Sequence, residues 1–230
     1  MIVIVLLGAP GAGKGTQAEL LAARLRLPHV ATGDLFRAAI RDDSAIGRDA
    51  RAYVERGELV PDEIAVRILL ERLDRPDAAV GAILDGFPRT RAQAETLDRA
   101  LAERGSRVSR ALLIEVPEDE LVRRLTARWI CEQAGHVYNL DTNPPRVAGR
   151  CDLDGSPLVQ RADDTEAVVR ARLAGQLDAL GEVIEHYRRQ SVLRTVDGSR
   201  PIAEVTASLL ALLPERDRVF EARPVAGQSS

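Results

Sequence analysis

Short apolar runs alternate along the chain with stretches whose apolar positions recur at helical spacing. The apolar runs predict strands at residues 2–7, 80–84, 111–116 and 193–196, with a weaker one at 29–31. Helical periodicity predicts helices at roughly 14–26, 61–73, 90–103, 118–128, 164–189 and 201–213. Because short buried strands that alternate with helices are typical of a parallel sheet covered on both faces, we predict an α/β fold with a five-stranded parallel sheet between two helical layers.

Two stretches interrupt this alternation. Residues 31–60 have the pattern of two short helices punctuated by glycines, whereas residues 129–162 lack helical periodicity and contain turn-forming sequences at hairpin-like spacing. Since bare loops of this length are uncommon within a compact domain, we predict a small β lid in the second stretch. The predicted division is a core of residues 1–30, 61–126 and 165–214, a helical insertion at 31–60, a lid at 127–164 and a flexible tail at 215–230.

The composition excludes several classes of protein. The net charge is −3 and aromatic residues make up only 3 % of the 230 residues, which argues against extended nucleic-acid binding. No apolar run approaches the length of a membrane span, and two cysteines cannot form a disulfide scaffold. We therefore expect a cytoplasmic monomer without a nucleic-acid or membrane partner.

The chain has a single lysine, Lys14, against 31 arginines. Lysine and arginine replace each other readily on solvated surfaces, but not where a compact and flexible ammonium group is required. Lys14 lies within a glycine-rich loop, and this position points to a specific task.

Residues 8–16, Gly-Ala-Pro-Gly-Ala-Gly-Lys-Gly-Thr, follow the first predicted strand and open a helix. This is the context of a phosphate-binding loop, in which backbone N–H groups and the helix N-terminus hold phosphate oxygens and Lys14 reaches the β- and γ-phosphates. One departure is Gly15, because the general pattern has Ser or Thr directly after the lysine; Thr16 comes one place later. Asp85 ends the second apolar run and is the expected carboxylate for organising Mg²⁺ through water beside such a loop.

Arginines follow the elements around this loop. Arg89 lies just beyond the second apolar run, and Arg124 and Arg128 are four apart on one face of the helix predicted at 118–128. Arg161 lies at the exit of the lid and Arg172 in the next predicted helix. Guanidinium groups gathered around a phosphate loop favour phosphoryl transfer to a small acceptor, with a closing lid that excludes water.

Other phosphate-loop proteins fit less well. A guanine-nucleotide switch needs an Asn-Lys-x-Asp motif, which cannot exist here because Lys14 is the only lysine. Motor and recombination ATPases are typically larger. A regulatory protein that binds nucleotide without turnover remains an alternative, although binding alone does not require charge around a transferring phosphoryl group.

The motifs together resemble the adenylate kinase family, in particular its bacterial long-lid form, over residues 1–213. They are the phosphate loop with its Lys-Gly-Thr ending, Thr32-Gly33-Asp34 with Arg37, Asp85-Gly86-Phe87-Pro88-Arg89 with Gln93, Asn143-Pro144-Pro145, and Arg161-Ala162-Asp163-Asp164. The resemblance implies reversible, Mg²⁺-dependent transfer of the γ-phosphoryl group of ATP to AMP, giving two ADP. A kinase that uses UMP, CMP or GTP in place of an adenine nucleotide is the alternative within this class.

The resemblance also implies which residues bind each substrate. Around ATP they are Gly11, Ala12, Gly13, Lys14, Gly15, Thr16, Arg124, Arg128, Val137, Tyr138 and the backbone at Arg200. Around AMP they are Thr32, Arg37, Glu58, Leu59, Val60, Gly86, Phe87, Pro88, Arg89, Gln93, Arg161 and Arg172. The implied catalytic set is Lys14, Arg89, Arg128, Arg161 and Arg172. Because the acceptor phosphate is already a nucleophile, alignment and positive charge suffice for catalysis.

The two cysteines lie in the predicted lid, as Cys131-x-x-Ala134 and Cys151-x-x-Asp154. Many relatives of this form hold the lid with zinc through two such pairs, but Ala134 cannot bind a metal. Zinc would then have Cys131, Cys151 and Asp154, with water or a substitute such as His136 in the fourth position. Two free thiols or a hydrogen-bonded cluster are the alternatives. No catalytic role is assigned to the three scattered histidines.

Overall fold

The structure is a computed structural model that describes residues 1–56, 58–160 and 164–218. In chain order its strands are β1 Ile2–Leu7, β2 His29–Ala31, β3 Gly81–Asp85, β4 Arg107–Glu115, β5 Arg128–Cys131, β6 Val137–Asn139, β7 Leu158–Val159 and β8 Leu193–Asp197. Its α-helices are α1 Lys14–Leu25, α2 Thr32–Arg41, α3 Ala45–Glu55, α4 Asp62–Leu73, α5 Arg91–Glu103, α6 Glu118–Thr126, α7 Glu166–Arg189 and α8 Ile202–Ala211. None of these helices is both long and apolar enough to cross a membrane.

Five strands form one parallel sheet in the order β2-β3-β1-β4-β8, which confirms the predicted α/β fold. Successive side chains of a strand point to opposite faces. On β1, Val3, Val5 and Leu7 join one buried apolar cluster, and Ile4 and Leu6 join a second cluster on the other face. The central strand is therefore buried on both sides, which explains why it reads as an unbroken apolar run.

The limits of three strands differ from the prediction, and β8 differs only in ending one residue later, at Asp197. β3 runs from Gly81 to Asp85, one residue later at each end than predicted. The preceding Val80 is half exposed, and at Gly81 the sheet is so closely packed that a Cβ atom would lie 2.2 Å from the carbonyl oxygen of Ile2. β4 begins at Arg107, four residues before the predicted start, and pairs with β1 from its first residue. Polar residues such as Ser109 conceal this extension from an analysis of hydrophobicity.

The strand order places the ends of three strands side by side. Leu6 of β1 and Ala31 of β2 both stand opposite Asp85, the last residue of β3. β1 lies between β3 and β4, so the chain crosses to different sides of β1 in its two halves. In open α/β sheets, ligands bind in the crevice at the carboxyl ends of strands at such a point.

Residues 32–55 form two packed helices, α2 and α3, beside this crevice. The approach is close at Gly47, where a Cβ atom would lie 2.0 Å from the carbonyl oxygen of Ala39. Ser44 caps α3, accepting a hydrogen bond from the backbone N–H of Gly47.

Strands β5, β6 and β7 form a separate antiparallel sheet around Cys131, Tyr138, Cys151 and Leu158. The prediction of a helix through residue 128 was wrong, because α6 ends at Thr126 and Arg128 is the first residue of β5. The Asn139 side chain donates to the carbonyl oxygen of Arg124, and the backbone N–H of Leu140 donates to that of Ala127. These bonds satisfy carbonyl groups at the end of α6 and turn the chain into the small sheet.

The structure describes the first four residues of the predicted flexible tail, residues 215–218. They form a 3-10 turn in which Asp217 is buried and accepts a hydrogen bond from the hydroxyl of Ser109 on β4. This polar contact between distant residues has no signal in the local sequence. The remainder of the predicted tail, residues 219–230, lies outside the described residues.

Candidate active site

The glycine-rich loop turns sharply between β1 and α1. Gly8 has a φ of +147°, and a Cβ atom there would lie 2.8 Å from the carbonyl oxygen of Ile114. Gly13 is the N-cap of α1 with a φ of +93°, a left-handed conformation that glycine adopts without strain. The loop thus leads directly into a helix N-terminus, which carries unpaired N–H groups and a partial positive charge.

The ammonium group of Lys14 folds back across this loop. Its Nζ atom donates to the carbonyl oxygens of Gly8, at 2.8 Å, and Ala9, at 3.0 Å. These bonds connect Lys14, near the end of the loop, with Gly8 and Ala9 at its start. The positive charge therefore lies over the loop, at the place where the sequence predicts the phosphates.

Asp85 lies against the same loop at the end of β3. Its carboxylate is mostly buried, which by itself raises the pKa, but the hydrogen bond from His29 and the charges of Lys14 and Arg89 outweigh burial and lower the pKa below the usual value. The His29 Nε2 atom lies 3.3 Å from Asp85 Oδ2. Sequence analysis missed this role of His29, because only the pairing of β2 with β3 brings the two residues together.

The absence of a side chain at residue 15 leaves space beside this carboxylate. A Cβ atom on Gly15 would lie 3.5 Å from Asp85 Oδ2, so a longer side chain would occupy the gap between the loop and Asp85. The carboxylate of Asp85, a hard oxygen donor beside a phosphate loop, fits a Mg²⁺ ion that keeps several of its own waters.

The loop after β3 carries a second set of predicted residues. Gly86 has a φ of +74°, and its carbonyl oxygen accepts from the Thr32 hydroxyl at 3.0 Å and from Arg89 Nε at 2.8 Å. The buried Phe87 precedes a cis peptide bond to Pro88. These contacts bring Thr32, at the start of α2, next to the turn that presents Arg89.

Gln93 lies in the first turn of α5 and is 2 % exposed. Its Oε1 atom accepts from the backbone N–H of Arg89 at 2.7 Å, and its Nε2 atom donates to Asp62 Oδ1 at 2.7 Å. Thr90 caps α5 by accepting from the backbone N–H of Gln93 at 3.1 Å, and its hydroxyl donates to Asp62 Oδ2 at 2.9 Å. Asp62, which sequence analysis did not select, is therefore the common partner of both side chains.

Other residues predicted for AMP line a wider cleft. Arg37 pairs with Asp34, and Glu58 pairs with Arg56 at 2.7 Å. With Leu59 they line a cleft of about 1230 Å³ that is closed on another side by residues of the lid and α7. Val60 is buried in the core of the protein and is not among the residues that line this cleft.

On the opposite side, Arg124 connects α6 to the loop after β8. Its Nε atom donates to Glu120 Oε1 and its Nη2 atom donates to the carbonyl oxygen of Gly198, both at 2.9 Å. Arg200 lies two residues further on and pairs with Glu204 at 2.6 Å. The predicted ATP residues Arg124 and Arg200 are thus brought to one loop.

Arg128 makes two hydrogen bonds to the buried carboxylate of Asp164, at 2.8 and 2.6 Å. This pair joins the start of β5 to the chain just before α7, so it links the two ends of the lid. Arg161 lies outside the described residues. Arg172 lies in α7, but its side chain is outside the described part of the structure.

Two predicted ATP residues lie on β6. Val137 is half exposed, whereas Tyr138 is buried. The Tyr138 hydroxyl donates to Cys151 Sγ at 3.4 Å and accepts from the backbone N–H of Asp152 at 2.7 Å. The side chain of Tyr138 therefore belongs to the core of the lid.

Four potential metal ligands meet in the lid. One atom from each of Cys131, His136, Cys151 and Asp154 lies within 4.8 Å of the others. The His136 Nδ1 atom lies 3.3 Å from Cys151 Sγ, and Cys131 Sγ lies 3.2 Å from Asp154 Oδ2. Burial raises the pKa of the Cys131 thiol, but hydrogen bonds with the Ser156 hydroxyl and the backbone N–H of Ala134 outweigh burial, so that the pKa is lowered. Two sulfurs, an imidazole nitrogen and a carboxylate form a donor set that suits tetrahedral zinc.

Comparison with known proteins finds relatives that match most of the chain. A family model described as adenylate kinase matches residues 6–192. An adenylate kinase of Staphylococcus epidermidis is 47 % identical over 210 residues, which is 91 % of this chain and 98 % of that protein. An adenylate kinase of Staphylococcus aureus is 45 % identical over the same length, with the same shares of each chain.

Proposed function

The chain belongs to the adenylate kinase family, and from that premise we propose how its residues divide the work of the reaction. The activity is phosphoryl transfer between ATP and AMP, which interconverts adenine nucleotides. An oxygen of the AMP phosphate attacks the γ-phosphorus of ATP, the bond from that phosphorus to the β,γ-bridging oxygen breaks, and two ADP molecules result. Neither a base nor a covalent intermediate is required, so positioning and positive charge carry the rate enhancement.

The observation that carries this assignment is the position of Lys14. The only lysine of the chain lies across the phosphate loop at the carboxyl end of the central strand, with Arg89 presented by the neighbouring strand. Residues 11–16 would hold the ATP phosphates, and Arg89 would bind the AMP phosphate and stabilise the negative charge of the transferring group. Arg128, Arg161 and Arg172 would complete the ring of charge when the lid closes.

The remaining nucleotide contacts follow the same division. On the ATP side we assign Arg124, Val137, the backbone of Tyr138 and the backbone at Arg200. On the AMP side we assign Thr32, Arg37, Glu58, Leu59, Gly86, Phe87, Pro88 and Gln93, together with the backbone of Val60, whose side chain is buried in the core. We also propose that the enzyme works as a monomer.

Asp85 would organise Mg²⁺ through water molecules of the ion. The bound ion supplies positive charge that offsets the charge of the ATP phosphates. The lowered pKa of Asp85 keeps its carboxylate ionised, and the missing side chain at Gly15 leaves room beside it.

We expect Asp85→Asn to raise the Mg²⁺ concentration that is needed for half of the maximal rate, measured at a fixed ATP concentration.

A coupled assay with Mg²⁺-ATP and each nucleoside monophosphate in turn tests the proposal. AMP should be the preferred acceptor, whereas a preference for UMP, CMP or GMP would contradict the adenine assignment.

Lys14→Met and Arg89→Ala should each lower kcat by about 10³-fold or more, since each removes a charge that contacts the transferring phosphoryl group. As a control, Arg91→Ala removes an exposed arginine of α5 and should leave kcat unchanged. Near-normal turnover of folded Lys14→Met or Arg89→Ala would remove that residue from the mechanism.

We propose that the lid holds one structural zinc ion through Cys131, His136, Cys151 and Asp154. The paired ligands would fasten the turn after β5 to the turn before β7. Metal analysis of the purified protein should find one equivalent of zinc, and a chelator should lower the melting temperature. A protein without zinc, or a melting temperature that the chelator leaves unchanged, would contradict the proposal.

A further inference from the structure

The amide group of Gln93 is held at both of its ends by partners of fixed character. The Asp62 carboxylate accepts from Nε2, and the backbone N–H of Arg89 donates to Oε1. A carboxylate has only acceptor atoms and a backbone N–H is only a donor. Turning the amide over would set its NH₂ group against the N–H of Arg89 and its oxygen against the carboxylate.

An unrestrained glutamine has no such preference. Rotation about its last side-chain bond is broad and roughly two-fold, so the oxygen and the NH₂ group exchange places easily. Asp62 and Arg89 remove this freedom. Each end of the amide can still form one more hydrogen bond, because Nε2 has a second N–H and Oε1 has a second lone pair.

The polarity of an amide matters when it reads a base. The Watson–Crick edge of adenine presents an acceptor at N1 and a donor at N6, whereas hypoxanthine and guanine present a donor at N1 and an acceptor at O6. A glutamine that turns over freely can pair with either pattern, and a locked one pairs with only one of them.

We propose that Asp62 determines base specificity at the monophosphate site, as a positioning residue that locks the Gln93 amide in the orientation complementary to adenine. This inference rests on the proposed role of Gln93 as the residue that reads the AMP base. It assigns the selection against 6-oxopurines to a residue that need not touch the nucleotide.

Asp62 is itself held in place. It is the first residue of α4, where a negative charge is favourable, and its second oxygen accepts from the Thr90 hydroxyl. Because Thr90 also caps α5, the carboxylate joins the N-termini of two helices. The lock is therefore part of the scaffold and does not depend on the bound nucleotide.

The direct test is Asp62→Asn, assayed with AMP and with inosine monophosphate. The new amide has nearly the same shape but can donate as well as accept, so the reversed orientation of Gln93 gains a partner at residue 62 and is then opposed only by the N–H of Arg89. We expect the ratio of kcat/KM for AMP to that for inosine monophosphate to fall about ten-fold, while KM for ATP stays unchanged. Glu63→Gln is the matched control, because it removes the same charge from the same turn of α4 at an exposed residue. That variant should keep the wild-type ratio.

A folded Asp62→Asn enzyme whose ratio stays within about two-fold of wild type would overturn the inference. If that variant does not fold, Asp62→Ser serves in its place, since a hydroxyl also both donates and accepts. Gln93→Leu separates the two levels of the argument. A ratio altered by Gln93→Leu but not at residue 62 refutes the lock alone, and a ratio that neither change alters refutes the base-reading role of Gln93.

Discussion

Ala134 and His136 lie in a turn that the lid uses twice. The backbone N–H of Gly135 donates to the carbonyl oxygen of Cys131, and the backbone N–H of Gly155 donates to the carbonyl oxygen of Cys151, each at 2.9 Å. Ala134 in the first turn thus corresponds to Asp154 in the second. In the proposed zinc site, His136 would supply the fourth ligand from two residues beyond Ala134, where its Nδ1 atom lies 3.3 Å from Cys151 Sγ.

The alanine at residue 134 and the nearby histidine at residue 136 lead to a prediction for the zinc site. His136→Ala should lower the zinc content of the purified protein and its melting temperature, because three ligands remain. Adding Ala134→Cys to that variant should restore both, since it supplies a thiolate from the position equivalent to Asp154. Ala134→Ser, a change of similar size, is the control and should restore little. The prediction fails if His136→Ala retains one equivalent of zinc with an unchanged affinity.

Single residues also mark the limit of sequence analysis at this site. Lys14 and Asp85 could be selected because each adjoins a strand and a glycine-rich turn in the local sequence. His29 and Asp62 carry no local pattern, and their partners lie 56 and 31 residues away along the chain. Such contacts become visible only once the strands and helices are placed.

At the scale of single elements, α6 presents Arg124 to the loop after β8. That loop is held on both sides, because the N–H of Gly198 donates to the carbonyl oxygen of Glu115 at 2.7 Å and its own carbonyl oxygen accepts from Arg124. Glu120, one turn earlier in α6, holds the guanidinium of Arg124 from the other side. Burial raises the pKa of Glu120, but the hydrogen bonds from Arg124 and Arg123 outweigh it and lower the pKa.

We predict that Glu120→Gln raises KM for ATP about two- to five-fold, with kcat and KM for AMP nearly unchanged, because it loosens Arg124 without removing it. The carboxylate stays ionised to below the usual pKa of a glutamate, so this contribution to ATP binding should persist as the pH falls toward about 4.5. Initial-rate kinetics with each substrate varied in turn provide the measurement.

Glu185→Gln is the control for this prediction. Glu185 on α7 accepts from Arg188 and Arg189, three and four residues later, as Glu120 does from Arg123 and Arg124. It should leave both KM values at their wild-type levels. Equal changes in KM for ATP and AMP with Glu120→Gln would show that the effect is not confined to the ATP side.

The elements themselves could be predicted where the hydrophobic pattern is strong. The bounds of β1 and β2 agree with the prediction, since both strands are short and bounded by turn-forming residues. The strands of the lid have between two and four residues each, and their pairing depends on the buried cluster around Cys131. No periodicity can develop over so few residues, so the sequence indicated a lid but not its strands.

At the scale of the whole molecule, the strand order brings distant segments to one crevice. The phosphate loop follows β1, the turn with Arg89 follows β3, and the loop held by Arg124 follows β8. The lid is tied at its base by Arg128 and Asp164, and a wide cleft separates part of it from α2. We expect Arg128 to exchange the Asp164 carboxylate for phosphate oxygens when the lid closes.

We expect the two nucleotides to meet end to end at this edge of the sheet. A crystal structure with a bisubstrate mimic, two adenosines joined by an oligophosphate, tests it most directly. We expect Lys14 and Arg89 to contact the bridging phosphates, with one adenine at Gln93 and the other beside Arg124. An oligophosphate bound away from Lys14 and Arg89 would contradict it.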